Sequence, residues 1–492
     1  MIILNRHKLA RALDGCYSYG CDTLFAEISF EVCQAEKIDC RFNSEDTTTF
    51  TVTGEYDQDC DEHAIEITHG YSKDHRPDLK QAVLELMTSH DGGVPIISRS
   101  WSGNASDSKI FRERSSAILQ SFKNSKTPRY LIADSKLYCK ETIAGPLKEI
   151  PFITRVPSTV KEEQAAITKA LSAPIKDWVK IDESNRYFSI QINHYQQTQR
   201  WIVVSSDEMR VRSEKSTEKS VSKEKEALKK ELSKIEKREF SCKKDAENSL
   251  SLIKKRAKYH SVKVEEILEK KVYPSKGRPK ADTEYVVAYY IRGSLEKDQS
   301  ALKKRIEQKS CYVVGTTVKE EELSCKEVVL AYKGQNASVE RGFRFLKDPL
   351  FFTSSLFVKK QERIEGLLMV MTLALLVYSI AQRRLRRYLQ TTGKTLPNQI
   401  RKEISQPTLR WIFQMMEGIE HIEVMINGQA QEVITGITEL RVRILACFSP
   451  SVKKSPCHIS LLSGAPESYH LVISLLSLSS KRTSFLGIPA KS

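Results

Sequence analysis

The sequence predicts an α/β protein whose core is interrupted by a β-rich insertion carrying a charged helical segment, with helical regions at both flanks. Three observations lead there. Segments of strand composition crowd residues 41–140. The acids Asp134 and Glu340 stand 340 − 134 = 206 positions apart, too far for a loop inside one compact core. Between them, residues 208–271 are dominated by Lys, Glu and Ser. The predicted organisation is a helical region over 1–40, the first part of the core over 41–140, the insertion over 141–325, the second part of the core over 326–390, and a C-terminal helical region and tail over 391–492.

In residues 1–40, Leu9, Leu13, Leu24, Phe25, Ile28 and Val32 are spaced for the apolar faces of two short helices. The threonine-rich run from Arg41 to about Thr53 favours a strand, because β-branched side chains fit a pleated surface, and Ala64–Gly70 reads as a second. Val83–Thr88 and Val94–Ile97 flank Asp91-Gly92, whose preference for positive φ joins antiparallel strands. A helix over 108–122 and a strand over Tyr130–Ala133 complete the first part. That order, with acids on the first strand and after the last, is the order of a ribonuclease H-like catalytic core, in which the two acidic strands lie side by side.

Within the insertion, Ile150–Val156, Tyr187–Ile192, Arg200–Val204, Tyr285–Tyr290 and Cys311–Val314 have strand composition. In 208–271, Val221, Leu228, Leu232 and Ile235 recur at heptad-like spacing, which predicts one or two helices able to extend along a ligand or pair with a second subunit. Ile364–Ala381 is apolar nearly throughout and carries Glu365; it sits at the short end for a membrane span and is predicted to be a buried core helix, so no membrane is expected as a partner. The Ser- and Leu-rich tail from about Ser449 carries no pattern that assigns it.

Three acids point to chemistry. Asp46 lies in the first strand, Asp134 follows the Tyr130–Ala133 strand, and Glu340 sits on a predicted helix with Arg344 one turn and Lys347 two turns further on. Carboxylate oxygens from three elements are what two divalent ions need in order to clamp the attacking and leaving oxygens of a phosphoryl transfer. Arg344 and Lys347 would meet the phosphates of a polyanion, Arg as a fork and Lys as a point charge.

The order strand Asp, strand-end Asp, then Glu followed seven positions later by Lys resembles the DDE transposases of bacterial insertion sequences, in the insertion-sequence-four-like group with a long insertion before the catalytic Glu. Gly70–Gln81, Gly103–Asp107 and Pro407–Phe413 resemble further blocks of that group. The resemblance implies catalytic and metal-binding roles for Asp46, Asp134 and Glu340, two Mg²⁺ or Mn²⁺ ions, and DNA contacts by Arg344 and Lys347. It also implies double-stranded DNA as partner, both terminal inverted repeats and target, with cleavage of element ends and joining of the 3′-OH. A homodimer in the DNA complex and a cytoplasmic, nucleoid-associated bacterial location go with it. The sequence departs from the group in three places, the first being Tyr332, which stands one position further from Glu340 than is usual. Asn336 stands where an Arg is usual, and only about forty-five residues precede the first Asp, so a truncated copy that binds DNA without cutting it, or a DDE-type nuclease, is the alternative.

Composition agrees with a polyanionic partner. The 492 residues hold 78 Lys plus Arg against 62 Asp plus Glu, a net charge of +16, and cationic surface gains affinity by releasing phosphate counterions. Eleven cysteines show no C-x-x-C pair, which fits reduced thiols better than a zinc site, and the N-terminus carries no signal peptide pattern.

Overall fold

The computed structural model describes residues 5–56, 61–106, 109–110, 129–273, 284–349, 358–426 and 429–448. The helix predicted over 108–122, the basic stretch Gly277–Lys280 and the tail from Ser449 lie outside all or nearly all of them. The fold is mixed α/β and divides into two compact units, residues 1–132 with 333–492, and residues 133–332.

The first unit opens with α1 (Arg6–Tyr19) and α2 (Cys21–Ala35), followed by β1 (Phe42–Val52), β2 (Lys80–Ser89), β3 (Pro95–Ser102) and β4 (Tyr130–Ala133). The strand order is β3-β2-β1-β4, and β1–β2 and β2–β3 are antiparallel. β1 and β2 are buried along nearly their whole length, as central strands covered on both faces must be. The predicted strand over Ala64–Gly70 does not form; only Thr68 bridges to Gln81. Its amides find scattered partners instead: Ile65 donates to the Glu365 carboxylate at 2.9 Å and Glu66 to Ser102 Oγ at 3.0 Å.

In the second unit, β5 (Phe152–Val156), α3 (Lys161–Ser172), β6 (Val179–Asp182), β7 (Asn185–His194) and β8 (Gln197–Ser206) lead to the charged segment. That segment folds as α4 (Asp207–Glu236), α5 (Lys243–Arg256) and then strand β9 (His260–Val272), paired antiparallel with β10 (Val286–Lys297). The expectation of helix to residue 271 is therefore corrected. β-Branched Val262 and Val264 find ladder partners in β10, and this long-range pairing overrides local helix propensity. The heptad-like residues Leu228 and Leu232 bury against Phe240, Leu250, Val262 and Ile291 of the same chain. After α6 (Gln299–Lys309), β11 (Cys311–Thr316) pairs antiparallel with both β5 and β8, giving the order β5-β11-β8-β7-β6, and Trp201 is fully buried on β8.

The chain returns to the first unit through α7 (Cys325–Gly334), then forms α8 (Val339–Leu346), α9 (Gln361–Thr392) and α10 (Leu409–Met416). Beyond them, residues expected to be helical also form a hairpin, β14 (Glu420–Ile426) and β15 (Gln429–Thr435), counting two short strands at Leu396–Pro397 and Glu403–Ile404 as β12 and β13. α9 is long and apolar enough to cross a membrane by length and composition. Its Ile364, Leu368, Met371 and Leu375 nevertheless join Phe50, Leu84, Leu86, Val339 and Phe343 in one core. Basic residues further along α9 are tied into the unit, with Arg383 on Asp91 at 2.6 Å and Arg384 on Glu36.

Burial raises the Glu365 carboxyl to about 7. Because its pKa is higher folded than unfolded, the stability it contributes is fully present below the ordinary glutamate value and is lost as pH rises through about 7. Glu365→Gln keeps an acceptor for Ile65 and is expected to raise stability at pH 8 by about 2 kcal/mol while leaving pH 4 nearly unchanged. Urea denaturation at the two pH values checks this; equal shifts at both would remove Glu365 as the titrating group.

Candidate active site

Asp46 lies mid-strand in β1, directly opposite Leu86 of β2. Opposed residues share a face, and Leu86 Cδ2 would stand 3.1 Å from a Cβ built at Gly342 of α8, so Asp46 occupies the sheet face on which α8 packs. The same period places Phe50 and Val52 on that face, in the core formed with Val339, Phe343 and Leu346. Those α8 residues, with Gly342, fall at i, i+3, i+4 and i+7, so burying them turns Glu340 outward, with its side chain 43% exposed.

Close backbone approaches fix the start of this helix. A Cβ at Gly334 would meet His90 Nδ1 at 2.7 Å, and one at Gly93 would meet the Ser338 Cα at 3.4 Å. His90 Nε2 in turn lies 2.6 Å from Ser44 Oγ on β1, and burial lowers its pKa to about 4, keeping it neutral at pH 7. Through this one ring, the strand bearing Asp46 and the turn leading to Glu340 are held together.

Asp46 and Glu340 each face a cation. Lys73 Nζ is 3.6 Å from Asp46 Oδ1 and also donates to Thr47 Oγ1 at 2.6 Å, while Thr47 N donates to Asp46 Oδ1 at 2.7 Å. Arg344 Nη2 is 3.9 Å from Glu340 Oε2, with its side chain 80% exposed. Lys347 departs from expectation. α8 ends at Leu346, Lys347 caps it, and its Nζ turns to Asp74 Oδ1 at 2.7 Å and over the Phe50 ring, so it does not form one stripe with Glu340 and Arg344. Asp348, next to it in the sequence, binds Arg410 at 2.7 Å.

Asp134 begins the second unit. Its carboxylate accepts from Lys136 N at 2.7 Å, capping a single 3-10 turn, and its carbonyl accepts from Thr154 Oγ1 of β5 at 2.8 Å. Both bonds fix the direction in which the chain leaves β4. Among the described residues, no group of three or more His, Cys, Asp or Glu is assembled as a metal site.

Sequence reasoning assigned no roles to Lys73, Asp74 or His90. The first two were in view, inside Gly70–Gln81, and the structure gives that block a purpose. Gly70 and Gly103 meet backbone to backbone, Gln81 Nε2 donates to Gly103 O at 2.8 Å, and adjacent residues Lys73 and Asp74 reach Asp46 and Lys347 respectively.

A sheet face bearing Asp46, closed by the helix that carries Glu340, is thus the frame of the candidate site. Residues 46–377 match the transposase DDE domain family, a span that starts at Asp46 and contains Asp134 and Glu340, and the chain belongs to that family. No curated protein matches it. Among solved structures it is similar to a piggyBac transposase synaptic complex with hairpin DNA, at 9% identity and a TM-score of 0.30, covering 72% of this chain. The chain spans about half of that protein's length, 48%.

Proposed function

We propose that this protein is a bacterial insertion-sequence transposase of the insertion-sequence-four-like group, with a ribonuclease H-like core, that cleaves the ends of its element and joins the freed 3′-OH to target DNA. The observation that carries the reading is that Asp46 lies on the sheet face against which the helix bearing Glu340 packs, within the span of the family match. Asp46, Asp134 and Glu340 are the proposed catalytic residues, and the donor set fits the proposed ions: partly exposed carboxylate oxygens, hard ligands of the kind Mg²⁺ or Mn²⁺ prefers. Two such ions would supply an activated water or 3′-OH and charge stabilisation for in-line transfer.

The chain's own residues do the remaining work. Lys73 pairs with the Asp46 carboxylate, and Thr47 N fixes one of its oxygens. Arg344, exposed beside Glu340, is placed to take a phosphate oxygen. The partners proposed are the terminal inverted repeats and target DNA, bound by a homodimer in the cytoplasm at the nucleoid. The core packing of α9 supports a protein without a membrane partner.

The test is incubation of the full chain with Mg²⁺ or Mn²⁺ and a duplex carrying the inverted repeats that flank its gene. Nicks at the repeat ends and 3′-OH joining products are expected; cleavage without joining would make the protein a nuclease, and binding without cleavage a transposase relic.

Lys347 has a separate expectation. As a phosphate contact that must leave Asp74 to bind DNA, Lys347→Ala is expected to weaken end binding and to lower the salt slope by about one unit of log K per log salt. If the slope holds while thermal stability drops, its role is the Asp74 pair alone, worth roughly 0 to 1 kcal/mol.

A further inference from the structure

A second group of cations gathers on another face of the helix that carries Glu340. Arg341, Phe345 and Asp348 follow one another at i, i+4 and i+7 along α8 and its end. The Phe345 ring centroid lies 4.3 Å from that of Tyr378 on α9, and Tyr378, Gln382 and Arg386 form one stripe of that helix at i, i+4 and i+8. The Tyr378 hydroxyl accepts from Arg410 N at 3.0 Å, Arg410 Nε binds Asp348 Oδ2 at 2.7 Å, and Arg386 Nε donates to Pro407 O at 3.0 Å.

The charges of Arg386, Arg341 and Arg410 thus all act on one tyrosine, Tyr378, and among the described residues a single carboxylate, Asp348, pairs with one of them, a local balance of 3 − 1 = +2. Among the described residues, neither Arg341 nor Arg386 has a carboxylate within ion-pair distance. Burial, and after it the neighbouring Arg341 charge, lowers the Arg386 pKa to about 10. Like charges held half-buried together are costly unless an anion joins them. The arginine fork matches phosphate oxygens two at a time, which a carbonyl such as Pro407 O cannot do.

We propose that Arg341, Arg386 and Arg410, arranged around Tyr378, bind a phosphodiester of the DNA backbone at a site distinct from the carboxylates of the active site. The proposal rests on the DNA-acting reading above. Because α8 carries both Glu340 and Arg341, a phosphate held here would set the register of the duplex relative to Glu340 while reading no base. The bland alternative is that Arg386 serves only to clasp the Pro407 carbonyl.

The test measures binding of the full chain, without divalent metal, to a random-sequence duplex of about 30 base pairs across a KCl series. Wild type is compared with Arg341→Gln, Arg386→Gln, the double variant and Arg341→Lys. Each Gln variant is expected to lower the slope of log K against log salt by about one, the double variant by about two, and Arg341→Lys to keep the wild-type slope. Melting temperatures of the single variants are expected to hold or rise, since each removes repulsion. An unchanged slope in both single variants overturns the proposal, whether or not the double variant folds. So does protection of wild type from melting by inorganic phosphate with unchanged DNA slopes, which would make this a site for a free anion. Wild type with no salt-dependent DNA binding would sink the DNA partner itself, whereas normal wild-type binding with unaltered variant slopes would sink this site alone.

Discussion

Asp46→Ala, Asp134→Ala and Glu340→Ala are each expected to lower Mg²⁺-dependent cleavage of end DNA by about three orders of magnitude or more, with DNA binding retained, because ligands of a shared metal centre act as a unit in the chemical step. The environments of the three make the comparison clean. Asp46 and Glu340 are partly exposed and face Lys73 and Arg344 at 3.6 and 3.9 Å, so removing either carboxylate should cost little folding stability. Asp134 is different, since its carboxylate caps a 3-10 turn; its alanine variant is expected to lose about 1 kcal/mol as well. Asp134→Asn keeps an acceptor for Lys136 N and should restore the stability without restoring cleavage. Single-turnover cleavage and urea denaturation on the same preparations separate the two effects. Near-wild-type cleavage in any one variant removes that residue from the site, and full turnover with Ca²⁺ argues against the two-ion chemistry, because its looser, larger coordination shell does not hold the reacting oxygens in line.

Much of this arrangement was legible because local pattern and tertiary role coincide. Asp91-Gly92 announces the β2–β3 hairpin through turn chemistry alone, and the positive φ of Gly92 and Gly93 bears that out. The α8 stripe of Val339, Phe343 and Leu346 predicts which way Glu340 must point. What stayed hidden depends on partners distant in sequence. Residues 260–272 read as more of the charged helix, and nothing local says that β10 will pair with them. Ala64–Gly70 alternates like a strand, yet its amides go to the side chains of Glu365 and Ser102, whose nearness only the fold reveals. Lys347 shows the same limit at the candidate site: helical spacing places it beside Arg344, but a carboxylate 273 positions away, Asp74, captures it. Arg383 to Arg387 look like one basic patch, whereas Asp91 and Glu36 give two of them, Arg383 and Arg384, structural duties.

Gly103→Ala is expected to destabilise the first unit by about 3 kcal/mol or more, the largest stability effect we anticipate from adding one methyl group. A Cβ at residue 103 would stand 2.1 Å from the Gln81 carbonyl oxygen and 2.5 Å from that of Thr68. Neither is a side chain that can swing aside. Gln81 N donates to Thr68 O and Gly103 N to Glu66 O, each at 2.9 Å, so relief must break a backbone ladder in which buried β2 takes part. The same displacement would loosen Gly70–Gln81 and with it Lys73 and Asp74, so cleavage should fall beyond what the unfolded fraction explains. Gly15→Ala provides the contrast: in mid-helix α1, with nothing within 4 Å of the added carbon, it is expected to stabilise by about 0.5 to 1 kcal/mol. Urea midpoints at constant m-value measure both. A loss below about 1 kcal/mol for Gly103→Ala would mean that the Gly70–Gly103 crossing yields easily, and the block would then lose its claim to position Lys73 against Asp46.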